Sequence, residues 1–189
     1  MGHIRKIRFA AIMAGSALVT AGMGVAMAQG GLSANLALSN TIFSMQVGNL
    51  DAQGMSLFVD NEQMKDGEIG VTRLRLDDAT ISDMCMSMPV NVPGLGQRKF
   101  QMVANGPSTT ASNLVIGAKN LDGSLTMIKP QIGVDAQQLS DKAEPGASAI
   151  VAQGLVANGQ KIKAASVSAD KLTAAGAKIT IEDGDKGAC

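Results

Sequence analysis

The chain has 189 residues with no Trp, no Tyr, four Phe, two Cys, twelve Met, twenty-two Gly and one His, and its 16 basic residues balance 16 acidic ones. That imidazole, His3, stands in an N-terminal segment that reads as removable, so the rest of the chain offers none to a Ser-His-Asp or Cys-His system, a proton shuttle or a His-ligated zinc site. With no cluster of basic residues, neither nucleic acid nor an anionic membrane surface is a favoured partner.

Residues 1–28 carry the three zones of a secretion signal. Arg5, Lys6 and Arg8 give a positive start, Phe9 to Val25 is apolar and small, and Ala26-Met27-Ala28 has the small-x-small form of a cleavage site. The alternative is a retained anchor, because the apolar stretch is close to the ~17-residue minimum of a spanning helix. Cleavage after Ala28 leaves residues 29–189 with 13 basic against 16 acidic residues, a net charge of −3. No Cys stands at the cleavage point to take a lipid.

Past the signal, apolar residues recur with a period of two rather than 3.6. Leu32, Ala34, Leu36 and Leu38 alternate with smaller or polar residues, as do Phe43, Met45 and Val47. After a turn expected at Gly48-Asn49 comes Met55 to Val59, then Val71-Leu74-Leu76, Ile81, and Met84-Met86-Met88 on one parity. Phe100-Met102-Ala104, Leu114-Ile116-Ala118, Leu125-Met127, Ile132-Val134, Ile150-Val151, Leu155-Val156, Ile162-Ala164 and Ile179-Ile181 follow. This is the pattern of short strands with one buried face. Turn formers stand between the runs at Asn61, Asp66-Gly67, Pro93-Gly94, Asn105-Gly106-Pro107, Asp122-Gly123, Pro145-Gly146, Asn158-Gly159 and Asp183-Gly184. Only Asp135 to Ala143 passes as a short helix, and it reads equally as a long surface loop. The expectation is an all-β single domain of many short strands over 29–189, built as a sandwich, half-barrel or β-solenoid. A weak similarity among Asn49-Leu50-Asp51, Asn120-Leu121-Asp122 and Lys171-Leu172-Thr173 suggests a reused strand-turn unit, although any Gly-rich β-chain yields such matches.

Cys85 is internal and Cys189 is the last residue. In an oxidising compartment such a pair reads as one disulfide closing a loop of about 100 residues, worth up to ~4.7 kcal/mol in the chain-entropy model. A reactive or metal-binding thiol is the alternative, with neither a CxxC partner nor a His to support it.

Few stretches carry chemistry. Met84-Cys85-Met86-Ser87-Met88 puts three thioethers on one strand face and Cys85 on the other. Soft sulfur at that spacing suits Cu(I), while a Met-lined core or groove needs no metal. Phe100 and Met102 extend the same apolar character. Asp77-Asp78 should point to opposite faces of a strand, so they share a site only across a bulge. Glu182-Asp183-Gly184-Asp185 lacks the calcium-loop pattern and reads as a solvated turn. Neither Ser124 nor Ser148 stands in a G-x-S-x-G elbow; a Ser-Lys dyad is possible in principle, but Ser140-Asp141-Lys142 is too common a composition to count as one. Gly94-Leu95-Gly96-Gln97-Arg98-Lys99 lacks the third Gly of a phosphate loop and reads as a hairpin turn.

Ala34-Asn35-Leu36-Ala37-Leu38-Ser39, Phe43-Ser44-Met45-Gln46-Val47 through Gly54, Ala79-Thr80-Ile81-Ser82-Asp83-Met84-Cys85, Ala111-Ser112-Asn113-Leu114-Val115-Ile116 and the terminal Cys189, set behind a secretion signal, resemble an actinobacterial family of secreted proteins of unknown function. Its members are often automatically named cholesterol esterase. The resemblance implies a secreted or cell-envelope β-protein with a Cys85–Cys189 bridge; the esterase activity is not carried over, because no catalytic motif falls on these residues. The expected function is non-catalytic and needs no cofactor. An apolar face at Met84, Met86, Met88, Phe100 and Met102 would meet a lipid-like ligand, a second copy or an envelope partner. A lipid-ester hydrolase and a Met-rich copper module are the alternatives.

Overall fold

The computed structural model describes residues 41–183 other than 93, 95, 142 and 144, together with Cys189. The signal segment, its cleavage site and the Leu32–Leu38 alternation lie outside the described residues. The fold is all-β: β1 (Phe43–Met64), β2 (Gly67–Val92), β3 (Gly96–Ala104), β4 (Thr109–Ile128), β5 (Gln131–Asp135), a 3-10 turn (Ala136–Gln138), β6 (Ser148–Ser168), β7 (Lys171–Ala174) and β8 (Lys178–Asp183). Every strand pairing is antiparallel.

Four of these strands are long, at 22, 26, 20 and 21 residues for β1, β2, β4 and β6. They close a ring, since β1 pairs with β2, β2 with β4, β4 with β6, and β6 with β1. The shorter strands hang on its rims. β3 takes the edge of β2 beyond Ile81, where β4 has left it, and β8 adds outside β3. β7 lies on the start of β4 and β5 on the start of β6.

Several runs that read as separate strands are therefore segments of one. Asp66, Gly94 and Asn105-Gly106-Pro107 do fall between strands, with Gly67 opening β2 and Pro93 outside the described residues, but Gly48-Asn49, Asn61, Asp122-Gly123 and Asn158-Gly159 lie inside them. These glycine sites bend a strand without ending it. Inward residues of β1 run Phe43, Met45, Val47, then Leu50, Ala52, then Met55, so the step of two becomes three at Gly48 and again at Gly54. The neighbours do the same at the same level. On β2 the step of three falls between Met84 and Ile81 and between Ala79 and Leu76; on β6 it falls between Gln160 and Ala157 and between Leu155 and Ala152.

Two lines of reversal thus cross the ring. In the first, Gly48 faces Asp83 on one side and Gly159 on the other. In the second, Gly54 faces Asp77, which in turn faces Asn113. Left-handed backbone marks both lines: Asp83 (φ 52°) and Gly159 (φ 60°) in the first, Gly54 (φ 64°) and Asn113 (φ 49°) in the second. A residue in this region turns its strand and breaks the alternation. Asp and Asn tolerate the conformation better than other residues with a Cβ, and Gly tolerates it freely.

The main core fills the ring with Met, Leu, Ile, Val and Ala around one aromatic, Phe43. A second cluster lies on the outer face, where Ala136 and Ala143 of the connection after β5 and Ala149 of β6 cover Phe58. Arg75 donates from Nη1 to the Leu139 carbonyl at 2.6 Å and holds that connection down. Of the stretch expected as a short helix or surface loop, Asp135 ends β5 and the described residues after it form a loop with one 3-10 turn, packed against the barrel through Ala136 and Ala143. Cys85 and Cys189 are joined, with Cα atoms 5.7 Å apart.

The lines of reversal make a measurable demand on Gly54. A Cβ there would collide with the Asp77 carboxylate, whereas one at Gly159 would meet nothing within 4 Å. Both positions have positive φ, so Ala at either costs about 1 kcal/mol or more in backbone strain. Gly54→Ala is expected to lower the thermal midpoint further than Gly159→Ala, and Asp77→Ala in the Gly54→Ala background to recover most of the difference. Equal losses for the two single variants would refute a steric role for Asp77.

Candidate functional site

Alternation places Met84, Met86 and Met88 on one face of β2 and turns Cys85 to the other, as the spacing requires. That face looks into the protein. The three Met are 3%, 8% and 7% exposed and belong to the main core, so they form no open groove. Their neighbours explain the burial. Met45 of β1 pairs with Met86, which pairs with Met102 of β3, which pairs with Ile179 of β8. In the next row Met88 pairs with Phe100 and Phe100 with Ile181.

Along each row burial falls away from the ring. Met86 and Met88 are buried, Phe100 and Met102 are half-buried against the core, and Ile179 and Ile181 on β8 are 47% and 61% exposed. The expected apolar face is therefore a gradient: its Met end is filled by protein and its open end is β8. The expected face reaches too far inward at the Met triplet, because nothing local reveals that β1 pairs with β2 there, whereas β8 has a strand neighbour on one side only among the described residues.

The opposite face of this flap is polar and carries the disulfide. The Gln101 side-chain amide lies over both sulfurs, with Nε2 3.6 Å from Cys85 Sγ and 3.9 Å from Cys189 Sγ. At the end of β8, Asp183 pairs with Arg98 Nε at 2.9 Å. Glu182 lies beside it on the strand, and the rest of that acidic stretch is outside the described residues.

Asp77 and Asp78 are both exposed, contrary to the opposite-face expectation. The second line of reversal runs through Asp77, so two successive residues look outward. Asp78 accepts a weak hydrogen bond from Ser112 Oγ at 3.4 Å. The Gly94–Gly96 stretch connects β2 to β3 with positive φ at both glycines and is a hairpin connection.

A polar cluster escaped the sequence reading. Arg73 donates to Asp60 Oδ2 from Nε (3.1 Å) and Nη2 (2.9 Å), and from Nη1 to Glu62 Oε2 (2.9 Å) and Ser166 Oγ (3.2 Å). Ser166 in turn donates to Glu62 Oε2 at 2.8 Å. Gly117 makes room, since a Cβ there would lie 2.5 Å from Ser166 Oγ and 3.0 Å from Arg73 Nη1. Its members come from β1, β2 and β6, with Glu62 and Ser166 104 residues apart, so no spacing in the sequence signals it. The S-x-x-K stretch Ser168-Ala169-Asp170-Lys171 runs through the β6–β7 turn, with Ser168 opposite Val115 and Lys171 opposite Ser112 on β4. Strand geometry separates that Ser and Lys instead of pairing them.

Inside the ring a cavity of about 20 Å³ is lined by Met45, Val47, Leu74, Leu155, Gln160 and their apolar neighbours. Gln160 Nε2 donates to the Ser124 and Asn158 carbonyls at 2.9 and 3.2 Å, while its Oε1 has no partner. The lining is apolar apart from Gln160, so the space offers a water one polar partner where a buried water ordinarily has about two to four. Small-molecule sites span roughly 300 Å³ or more, so an acyl chain does not fit in this cavity.

Removing Arg73 leaves the buried Asp60 carboxylate uncompensated. Arg73→Ala is expected to cost about 3–5 kcal/mol in urea unfolding, against less than about 1 kcal/mol for Arg98→Ala, whose partner Asp183 is 81% exposed. A cost for Arg73 no greater than for Arg98 would remove the cluster as a stability element.

The model of DUF6230, a family of unknown function, matches residues 39–189, from just ahead of β1 to the terminal cysteine. No curated protein and no solved structure matches the chain. A match over that much of the chain settles membership, and the protein belongs to the DUF6230 family of unknown function.

Proposed function

We propose that this is a non-catalytic protein of the cell envelope or the secreted space, and that it works by non-covalent assembly through the apolar edge formed by β3 and β8. The observation that carries this reading is the burial gradient from Met86 and Met88 through Phe100 and Met102 to Ile179 and Ile181, which leaves two branched aliphatics on an edge strand in water. Exposed apolar groups on a sheet edge invite a partner. The disulfide supports an oxidising compartment. A lipid-like ligand fits this proposal only at the same outer face, because the interior cavity is too small. Copper fits less well, since the three thioethers pack inside the core.

The lipid-ester hydrolase that the resemblance brings with it has one structural point in its favour, the Ser166 hydroxyl against the Glu62 carboxylate at 2.8 Å. Arg73 occupies the same Glu62 oxygen and Ser166 itself, which fits a structural cluster better than a poised nucleophile. A fluorophosphonate adduct on Ser166 of the oxidised protein would favour the hydrolase, and no adduct on any Ser would remove it.

For the assembly reading, native mass spectrometry of the protein purified from its host is expected to show a species heavier than the monomer or a retained lipid. Ile179→Ser with Ile181→Ser should abolish it while leaving the thermal midpoint within a few degrees of the parent. A parent chain that is monomeric and lipid-free would overturn the proposal.

A further inference from the structure

Three short strands each present one free edge among the described residues, and two of them are defended. β5 follows Pro130 and is broken by a register shift at Gly133 (φ 89°). β7 has only four residues, Lys171–Ala174. Short strands, prolines, bulges and charged side chains are the usual devices that keep an edge from pairing. β8 has neither proline nor bulge, and its charges are of both signs, Lys178 against Glu182 and Asp183. It runs six residues, Lys178–Asp183, without Gly or Pro, and pairs with β3 in an unbroken register from Val103↔Lys178 to Arg98↔Asp183. Its other edge has no strand partner among the described residues.

Its sequence is self-complementary. Turned antiparallel to itself about Thr180, Lys178-Ile179-Thr180-Ile181-Glu182 sets Lys178 opposite Glu182 at both ends, Ile179 opposite Ile181 twice, and Thr180 opposite Thr180. Alternation puts the charged residues and Thr180 on the disulfide face and the isoleucines on the apolar face. Neither Lys178 nor Glu182 makes an ion pair among the described residues. Both isoleucine pairs would also extend the existing rows, carrying Met86-Met102-Ile179 on to Ile181, Phe100 and Met88 of a second copy.

We propose that the occupant of this edge is a second copy of the same chain, paired β8 to β8 about a two-fold axis at Thr180, so that two sheets join into one. This rests on the assembly reading above and gives it a partner, a symmetry and a register. An isologous contact of this kind closes as a dimer. Opposite charges and branched aliphatics facing across strands are the pairs that favour such a register, and like charges there oppose it.

A zero-length carbodiimide cross-link tests the register. Lys178 and Glu182 of one chain are four positions apart on a strand, roughly 13 Å, so a direct amide between them forms only between copies. The oxidised full-length protein is expected to give a dimer band whose peptide map joins Lys178 to Glu182. In sedimentation equilibrium, Lys178→Glu and Glu182→Lys should each weaken dimerisation about tenfold or more, since each reverses two symmetry-related pairs. The double variant K178E/E182K should return the affinity to near that of the parent, which also shows that the substituted strand still folds. A dimer indifferent to both single reversals, or cross-linked elsewhere, overturns the β8 register and leaves the assembly reading standing. A parent protein that is monomeric at every concentration overturns the pairing, and the host preparation then decides the assembly reading by whether it retains a lipid.

Discussion

Closing a ring with four long strands requires each strand to turn sharply while keeping its hydrogen bonds, and the two lines of facing reversal meet that requirement. A strand that kept strict alternation over 22 residues would have to coil by twist alone. Here the strands turn together, because each reversal on one strand lies opposite a reversal on its neighbour. Gly48 faces Asp83 and Gly159; Gly54 faces Asp77, and Asp77 faces Asn113. The register is the same before and after each line on the β1–β2 and β1–β6 ladders, so the bend is shared without slippage. A reversal on one strand alone would send its inward residues to solvent at that level while its neighbours still faced the core.

That geometry accounts for the composition. A ring of four strands encloses much less space than the eight-stranded barrels whose interiors side chains just fill. Small residues such as Ala52, Ala79, Ala118, Ala157 and Ala164 bring the walls together, and Met45, Met55, Met84, Met86 and Met88 fill what is left, since an unbranched thioether adapts to irregular gaps. Trp and Tyr would be too large for such an interior, and their polar atoms would need partners that it does not supply. The one deeply placed amide, Gln160, shows the difficulty: one oxygen stays without a protein partner beside a cavity of about 20 Å³.

Much of this was legible in the residues. Period-two alternation identified an all-β chain, the parity of Met84, Cys85 and Met86 set the sulfurs on opposite faces, and the Cys85–Cys189 bond follows from a single pair. The continuity of the strands was less legible, because Gly48-Asn49 and Asn158-Gly159 have the chemistry of hairpin turns. In this fold Gly159 uses that left-handed backbone to bend a strand that continues, and opposite Gly48 it is Asp83 that adopts it. One signal was available, namely inward residues separated by three at Val47 and Leu50 and again at Ala52 and Met55. The Arg73 cluster left no trace, since Asp60, Glu62, Arg73 and Ser166 each look like ordinary strand-surface residues and meet only through the ring closure.

The terminal disulfide has a further consequence for β8. Strands of the ring have neighbours on both sides, whereas β8 has β3 as its one strand partner among the described residues and stands close to the end of the chain, where segments tend to fray. The bond from Cys189 to Cys85 ties the chain end to β2, one strand further in than β3. It sits on the polar face, against Gln101, and so leaves the apolar face of Phe100, Met102, Ile179 and Ile181 uncovered by the bond itself. Fixing a strand from one face while leaving the other face and the outer edge accessible lowers the ordering cost of any contact made there, because the strand is already in place before a partner arrives. The bond therefore bears on β8 as well as on overall stability, and its reduction is expected to loosen the edge that the assembly proposal uses.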